Sequence, residues 1–279
     1  PRPALSDGAP LVTERSFFGV YRIEDRAQSG LGHVRVLTNG TTLHGAQALH
    51  PARRCAPLTY YSPSTPIGQA VTAVQASGGV RIGVVGLGAG SLAGYLRPQD
   101  SLRFYEIDPL VVRLAREQFS YLAECARGPV DVVVGDARLT VAEEPAGVFD
   151  VLVLDAFSSD AVPTHLLTAE AMRGWLRVLK PDGLLAVHVS NRNLELESAV
   201  AATLRAEGAQ VAAQLAFRPK GAPRLSALTS QVVVGSRSPE TIARLRAGGR
   251  WRAARIGGAA PWTDDRTDVL GAMLRDARR

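Results

Sequence analysis

An apolar run that breaks into alternating glycines, Val84-Val85-Gly86-Leu87-Gly88-Ala89-Gly90, constrains this chain more than any other stretch. A strand that turns sharply into a helix needs positive φ and a backbone that a ligand can approach with no Cβ in the way, and Gly86, Gly88 and Gly90 meet both needs. Glycine turns also serve as plain corners, so the turn gains meaning only from the next strand. Sixteen residues beyond Gly90, that apolar run ends in Glu106. A carboxylate at the strand tip can accept hydrogen bonds from both hydroxyls of a ribose, so the turn and Glu106 together predict an adenosine-type nucleoside site.

The surrounding pattern is α/β. Residues 81–85, 102–106, 130–134, 151–155 and 184–189 read as strands, several of them continuous apolar runs suited to a sheet covered on both faces. Segments 67–76, 109–122 and 168–179 carry helical character, with Pro109 in a first-turn position and Lys180-Pro181-Asp182-Gly183 expected to end the last of them. Segments 211–217 and 231–235 supply two more strands at an antiparallel edge. Ahead of the glycine turn, 16–23, 33–37 and 41–44 alternate with period two around Asn39-Gly40, a hairpin signal. The expected architecture is a doubly wound α/β sheet over residues 63–279, preceded by a small antiparallel β domain and connector over residues 1–62.

A chain of 279 residues can hold such a core together with a small accessory domain. It has neither an apolar run near the roughly eighteen residues that span a bilayer nor a secretory leader, so a cytoplasmic protein is expected. Because it begins at Pro1, it is also compatible with the soluble domain of a membrane-attached protein whose membrane segment lies outside this chain. Cys55 and Cys125 suggest neither a disulfide framework nor a metal cluster, which favours a reducing compartment. The net charge of +6 comes from arginines scattered along helices, such as Arg237, Arg244 and Arg250, without interleaved aromatics. That is a solvated surface, and no nucleic-acid partner is expected.

Open α/β sheets bind ligands beyond the carboxyl ends of their strands, and successive strand ends here carry carboxylates. Asp136 comes after 130–134, where it can hold an adenine amino group, and Asp155 opens a loop that contains Asp160 and ends at Pro163. Aspartate is common in turns and helix caps, but carboxylates at three successive strand ends favour a shared site.

These residues resemble the spermidine synthase or polyamine aminopropyltransferase family, especially a bacterial branch often fused to transporter-like membrane segments. The likeness runs over nearly the whole chain through Leu43-His44-Gly45-Ala46-Gln47, the glycine turn, Tyr105-Glu106-Ile107-Asp108, Gly135-Asp136-Ala137, the Asp155 to Pro163 loop and Pro261-Trp262-Thr263-Asp264-Asp265. It implies a Rossmann-like, class I methyltransferase-type domain behind the small β domain, in a homodimer or tetramer. It also implies a transferase that takes decarboxylated S-adenosylmethionine as donor and putrescine or a related amine as acceptor, releases methylthioadenosine and needs no metal. Carried onto this sequence, the nucleoside is held by Gly86, Gly88, Gly90, Glu106, Asp136, Ala137 and Pro163. Asp155 is the catalytic aspartate, Tyr60 and Tyr61 assist it, and Asp160 and Gln47 bind substrate. An amine near pKa 10 arrives protonated and must lose a proton before attacking carbon beside a sulfonium. Asp155 would take that proton or hold the amine, and the tyrosine hydroxyls with Asp160 would orient it.

Four departures stand out, one being that a glutamine which in the family touches the nucleoside has no counterpart around Phe17-Phe18-Gly19. Ala89 replaces an aspartate that in the family binds the donor's amine, Tyr60-Tyr61 replaces a Tyr-His pair, and the Asp155 loop is one residue longer. Use of S-adenosylmethionine itself, as in a methyltransferase, and a non-catalytic adenosyl-ligand domain therefore stay open. His165 and His188 are expected to be hydrogen-bonded structural residues. Glu195 and Glu197 are expected to start a helix, and Trp262 to pack.

Overall fold

The computed structural model describes residues 10–156, 163–191 and 193–276. Its first sheet is an antiparallel meander of β1 (Val12–Ser16), β2 (Gly19–Gln28), β3 (Gly32–Asn39) and β4 (Thr42–Ala48). The Asn39-Gly40 turn forms as expected, with Asn39 paired to Thr42. The run 16–23, expected as one strand, is two. The chain reverses at Phe17-Phe18, where Asn39 Nδ2 donates to Phe18 O (3.2 Å) and Val20 N donates to Asn39 Oδ1 (3.2 Å). Two aromatic residues at a turn mimic strand continuation, although the Phe17 ring is left 95% exposed.

The second sheet contains β5 (Arg81–Val85), β6 (Ser101–Glu106), β7 (Val130–Val134), β8 (Phe149–Leu154), β9 (Leu179–His188), β10 (Gln210–Ala216), β11 (Ser230–Ser236) and β12 (Arg252–Ala253), ordered β12-β10-β11-β9-β8-β5-β6-β7. Strands β7, β6, β5, β8 and β9 are parallel, and β11, β10 and β12 join antiparallel. The apolar runs serve both faces. Val84, Val151, Val153 and Ala186 pack with Ile67 and Val71 of α1 (Pro66–Gln75), while Val85, Leu152, Leu185 and Val187 pack with Met172 and Trp175 of α2 (Ala169–Val178). From β5 the chain builds outward to β7, then returns to β8 on β5's other side. The crevice where the order reverses, beyond the carboxyl ends of β5 and β8, is where such sheets bind ligands.

Lys180-Pro181-Asp182-Gly183 does not separate helix from strand. Helix α2 ends at Val178 and β9 begins at Leu179, which pairs with Phe149 before the register jumps to Val151 opposite Leu184. The turn-forming residues are looped out as an irregularity within β9, because the pairing on both sides outweighs their local preference. Helix 109–122 is likewise shorter than expected. It ends at Gln118, and a π-helical turn, Tyr121–Cys125, comes next, anchored by Tyr121 Oη donating to Ala46 O (3.0 Å) and Ala56 O (3.1 Å).

That turn carries Cys125, which is disulfide-bonded to Cys55 across a Cα–Cα distance of 5.1 Å. The bridge corrects the expectation of two separate thiols and removes the argument for a reducing compartment. With a sequence separation of 70 between the two cysteines, spacing alone could not show that the fold brings them together. Among the described residues no helix is long and apolar enough to cross a membrane.

The two sheets meet at the glycine turn. A Cβ at Gly88 would lie 2.2 Å from His44 O, and a Cβ at Gly45 would lie 2.5 Å from the Ala89 Cβ. Strand β4 is therefore laid directly across the turn that the nucleoside would approach.

Candidate active site

A pocket of about 290 Å³ lies at the switch point, floored by the second sheet and walled by β3, β4 and the connector. The half of it expected to take a nucleoside is built on Glu106. The side chain at the tip of β6 is buried, with Oε2 accepting from Leu87 N (2.9 Å) and Oε1 from Asp108 N (3.0 Å). Burial raises this carboxyl's pKa and the two backbone donors oppose the rise. Asp108 caps the helix Pro109–Gln118 by accepting from Leu110 N (2.9 Å), and Ser16 Oγ donates to it, so the first sheet is tied to the Glu106 tip. Asp136 Oδ1 caps a short helix through Arg138 N (2.8 Å), and Asp136 lines the pocket with Ala137, Pro163, Gly86 and Gly88.

Two expected residues lie elsewhere. Gly90, at φ 80°, closes the turn behind the pocket, where it packs on Leu122. Gln47 is expected to bind substrate but is structural. Its amide donates to Arg54 O and Ser120 Oγ (both 2.9 Å) and accepts from Ser120 N (3.0 Å), pinning β4 to the second domain. Asp160 lies outside the described residues.

The polar half centres on Asp155, one residue past β8, with a side chain 5% exposed. Tyr61 Oη donates to its Oδ2, and His188 Nδ1 lies 2.6 Å from its Oδ1. The other imidazole nitrogen, Nε2, is 2.8 Å from Ser190 Oγ, which accepts from Gln231 N (2.7 Å). Tyr60 stacks on His188 at 4.9 Å between ring centroids and lies 4.5 Å from Tyr61. Burial, aided by the nearby Asp155 charge, pushes both tyrosine hydroxyls well above their usual pKa, so they remain protonated donors. The residue before them, Thr59, holds a left-handed φ of 62°, fixed by Thr59 N donating to Leu225 O (2.9 Å) and Leu228 N donating to Thr59 O (3.1 Å). Backbone strain of this kind persists only where surrounding structure over-determines it, and here it aims the tyrosine pair.

His44 and His188 were missed as pocket residues. Burial lowers the His44 pKa, so it is neutral, and its Nε2 has no hydrogen-bond partner among the described residues. His188 was legible in principle. In the parallel pairing Leu154 lies opposite Val187, which brings the next residues, Asp155 and His188, to the same edge. Single-residue odds for a histidine conceal that adjacency.

A sheet whose switch-point crevice is capped by a small β meander defines a Rossmann-like, class I methyltransferase-type fold carrying an added antiparallel β sheet. Comparison with solved structures agrees. A probable spermidine synthase from Corynebacterium glutamicum superposes with TM-score 0.69 at 19% identity, covering 92% of this chain and 97% of that one. Spermidine synthase from Thermotoga maritima gives 0.56 at 15%, covering 95% and 84%. A spermidine synthase bound to the transition-state analogue AdoDATO gives 0.58 at 15%, with the same coverage. In sequence, the polyamine aminopropyltransferase of Vibrio vulnificus is 31% identical over 115 residues, 39% of this chain and 37% of that relative's length. No protein-family model matches the chain. In fold the chain is thus similar to spermidine synthases, and in sequence a stretch of 115 residues is similar to a polyamine aminopropyltransferase.

The roles of the two halves are separable. Replacing Glu106 by Ala removes both the oxygens expected to accept from a ribose and the anchor of the Leu87 N–H. Hydrogen bonds to charged groups contribute about 1.5–3 kcal/mol each, so methylthioadenosine affinity should fall by about a hundredfold or more in calorimetry. An affinity unchanged within a few-fold would remove Glu106 from the site.

Proposed function

We propose that this chain is a transferase that moves an aminopropyl group from decarboxylated S-adenosylmethionine to putrescine or a related small amine, releasing methylthioadenosine. The observation that carries this reading is the Asp155 carboxylate, oriented by Tyr61 and His188 in the same pocket as Glu106 and the glycine turn. A nucleoside held by Glu106, Asp136 and Ala137 under Pro163 would direct its sulfonium arm toward Asp155. There the carboxylate attracts the acceptor's ammonium, and the Tyr60 and Tyr61 ring faces favour nearby cations. The deprotonated nitrogen attacks the carbon beside sulfur, a C–N bond forms, and the C–S electron pair leaves with methylthioadenosine. In-line placement of nitrogen and carbon contributes much of the rate. A homodimer or tetramer without a nucleic-acid partner is part of the same proposal.

Ala89 favours a second reading. It is fully buried against Gly45, so a carboxylate for the donor's amine has no room there, and the turn then admits an intact S-adenosylmethionine donor. Titration of the purified chain with methylthioadenosine, S-adenosylmethionine and its decarboxylated form, with and without putrescine, tests both. Preference for the decarboxylated donor, with methylthioadenosine appearing when putrescine is added, supports aminopropyl transfer. Preference for the intact donor with no such release supports the second reading.

A further inference from the structure

Aminopropyl transfer from an ammonium acceptor liberates one proton per turnover. The acceptor enters as R–NH3⁺, the product leaves as a secondary ammonium, and the donor's sulfonium charge is lost as its sulfur becomes a neutral thioether. An aspartate is a weaker base than an imidazole by about 2.6 pKa units in ordinary surroundings, so a site with Asp155 alone would hold the ammonium more readily than deprotonate it.

We propose that the proton acceptor is His188, reached through the Ser190 hydroxyl, and that Asp155 holds the imidazole and the acceptor's charge. This rests on the aminopropyl-transfer reading. The hydrogen-bond directions carry it. An ionised Asp155 can only accept, so the 2.6 Å contact to His188 requires the hydrogen on Nδ1. Nε2 of the neutral ring then accepts, and the donor 2.8 Å away is Ser190 Oγ. One lone pair of that oxygen is taken by the Gln231 N–H at 2.7 Å, which helps direct the hydroxyl hydrogen toward the ring. Asp155, His188 and Ser190 thus form a carboxylate–imidazole–hydroxyl chain whose members all line the pocket. The chain order of donors is that of hydrolase triads, with the hydroxyl here conducting a proton rather than attacking.

The step balances. The acceptor's N–H⁺ proton passes to Ser190 Oγ as the hydroxyl proton passes to His188 Nε2. The freed nitrogen lone pair forms the C–N bond, and the imidazolium, stabilised by Asp155, returns the proton to solvent. The groups around His188 suit this cycle. Tyr60 and Tyr61 stay neutral, Asp155 is the adjacent anion, and His44, neutral through burial, lies close enough to feel the Asp155 charge. On the β11 side, Gln231 Nε2 donates to Glu197, whose charge is matched by Arg252.

The test is the pH profile of methylthioadenosine release with saturating putrescine in wild type, His188→Gln and Ser190→Ala, alongside methylthioadenosine affinity as the check on folding. Glutamine can keep a hydrogen bond to Asp155 but cannot take a proton. General-base loss predicts a kcat decrease of about 10²–10⁴-fold at neutral pH in His188→Gln and a smaller decrease in Ser190→Ala, with affinity retained. Turnover of His188→Gln should then climb with pH toward the amine's own pKa, with a profile that departs from that of wild type. Wild-type kcat and pH profile in His188→Gln would overturn the proton-acceptor role alone. Absence of methylthioadenosine release by the wild type with any donor and amine pair would overturn the transfer reading beneath it.

Discussion

Asp155→Asn should reduce turnover by about 10³–10⁴-fold while leaving methylthioadenosine affinity within about twofold. The exchange is nearly isosteric, so packing is kept, but the amide changes the hydrogen-bond logic on both sides. Its carbonyl can still accept from Tyr61 Oη. Its NH2 then faces His188 Nδ1, which must become an acceptor, so the ring hydrogen moves to Nε2 and points at Ser190. An aspartate-to-asparagine exchange beside a histidine costs about 10⁴-fold through this same tautomer reversal. The acceptor's ammonium also loses its counter-charge. In the proposed division of the site the nucleoside is held by Glu106 and Asp136 rather than by Asp155. Single-turnover kinetics and calorimetry on one preparation give both quantities, and equal losses of binding and turnover would dissolve the proposed division of the site.

The second large effect concerns stability. Breaking Cys55–Cys125, by reductant or by the double change Cys55→Ser and Cys125→Ser, should lower the unfolding free energy by about 4 kcal/mol. That is the chain-entropy value for a separation of 70 residues. The bridge joins the connector to the π-helical turn whose Tyr121 holds β4 and the connector. Its loss should therefore be felt where the two sheets meet. Urea unfolding of the oxidised protein with and without dithiothreitol reads it directly, and coincident midpoints would show that the bridge contributes no stability.

How far the sequence revealed this molecule depends on the kind of signal each element carries. The central parallel strands were legible because their burial on both faces is written as unbroken apolar runs, and β5 falls where its run does. The glycine turn and Glu106 were legible because a close approach and a strand-tip carboxylate each demand a particular residue. The break at Phe17-Phe18 was not, because its turn is stabilised by Asn39, a residue on another strand. Gln47 was read as a substrate ligand because likeness in sequence does not show which way a side chain faces. His188 and the Cys55–Cys125 bridge depend on pairings that only the folded register supplies.

The two carboxylates at the centre of the pocket share an economy. Glu106 is fixed by the Leu87 and Asp108 amides, and Asp155 by Tyr61 and His188, before any ligand arrives. A carboxylate has about four lone-pair sites, so each commits part of its accepting capacity to the scaffold and presents the remainder to whatever enters. Ordering these groups is thus a cost of folding rather than of association. A pocket assembled in this way discriminates by shape and charge position, and a donor or acceptor with a misplaced nitrogen finds walls that do not rearrange to meet it.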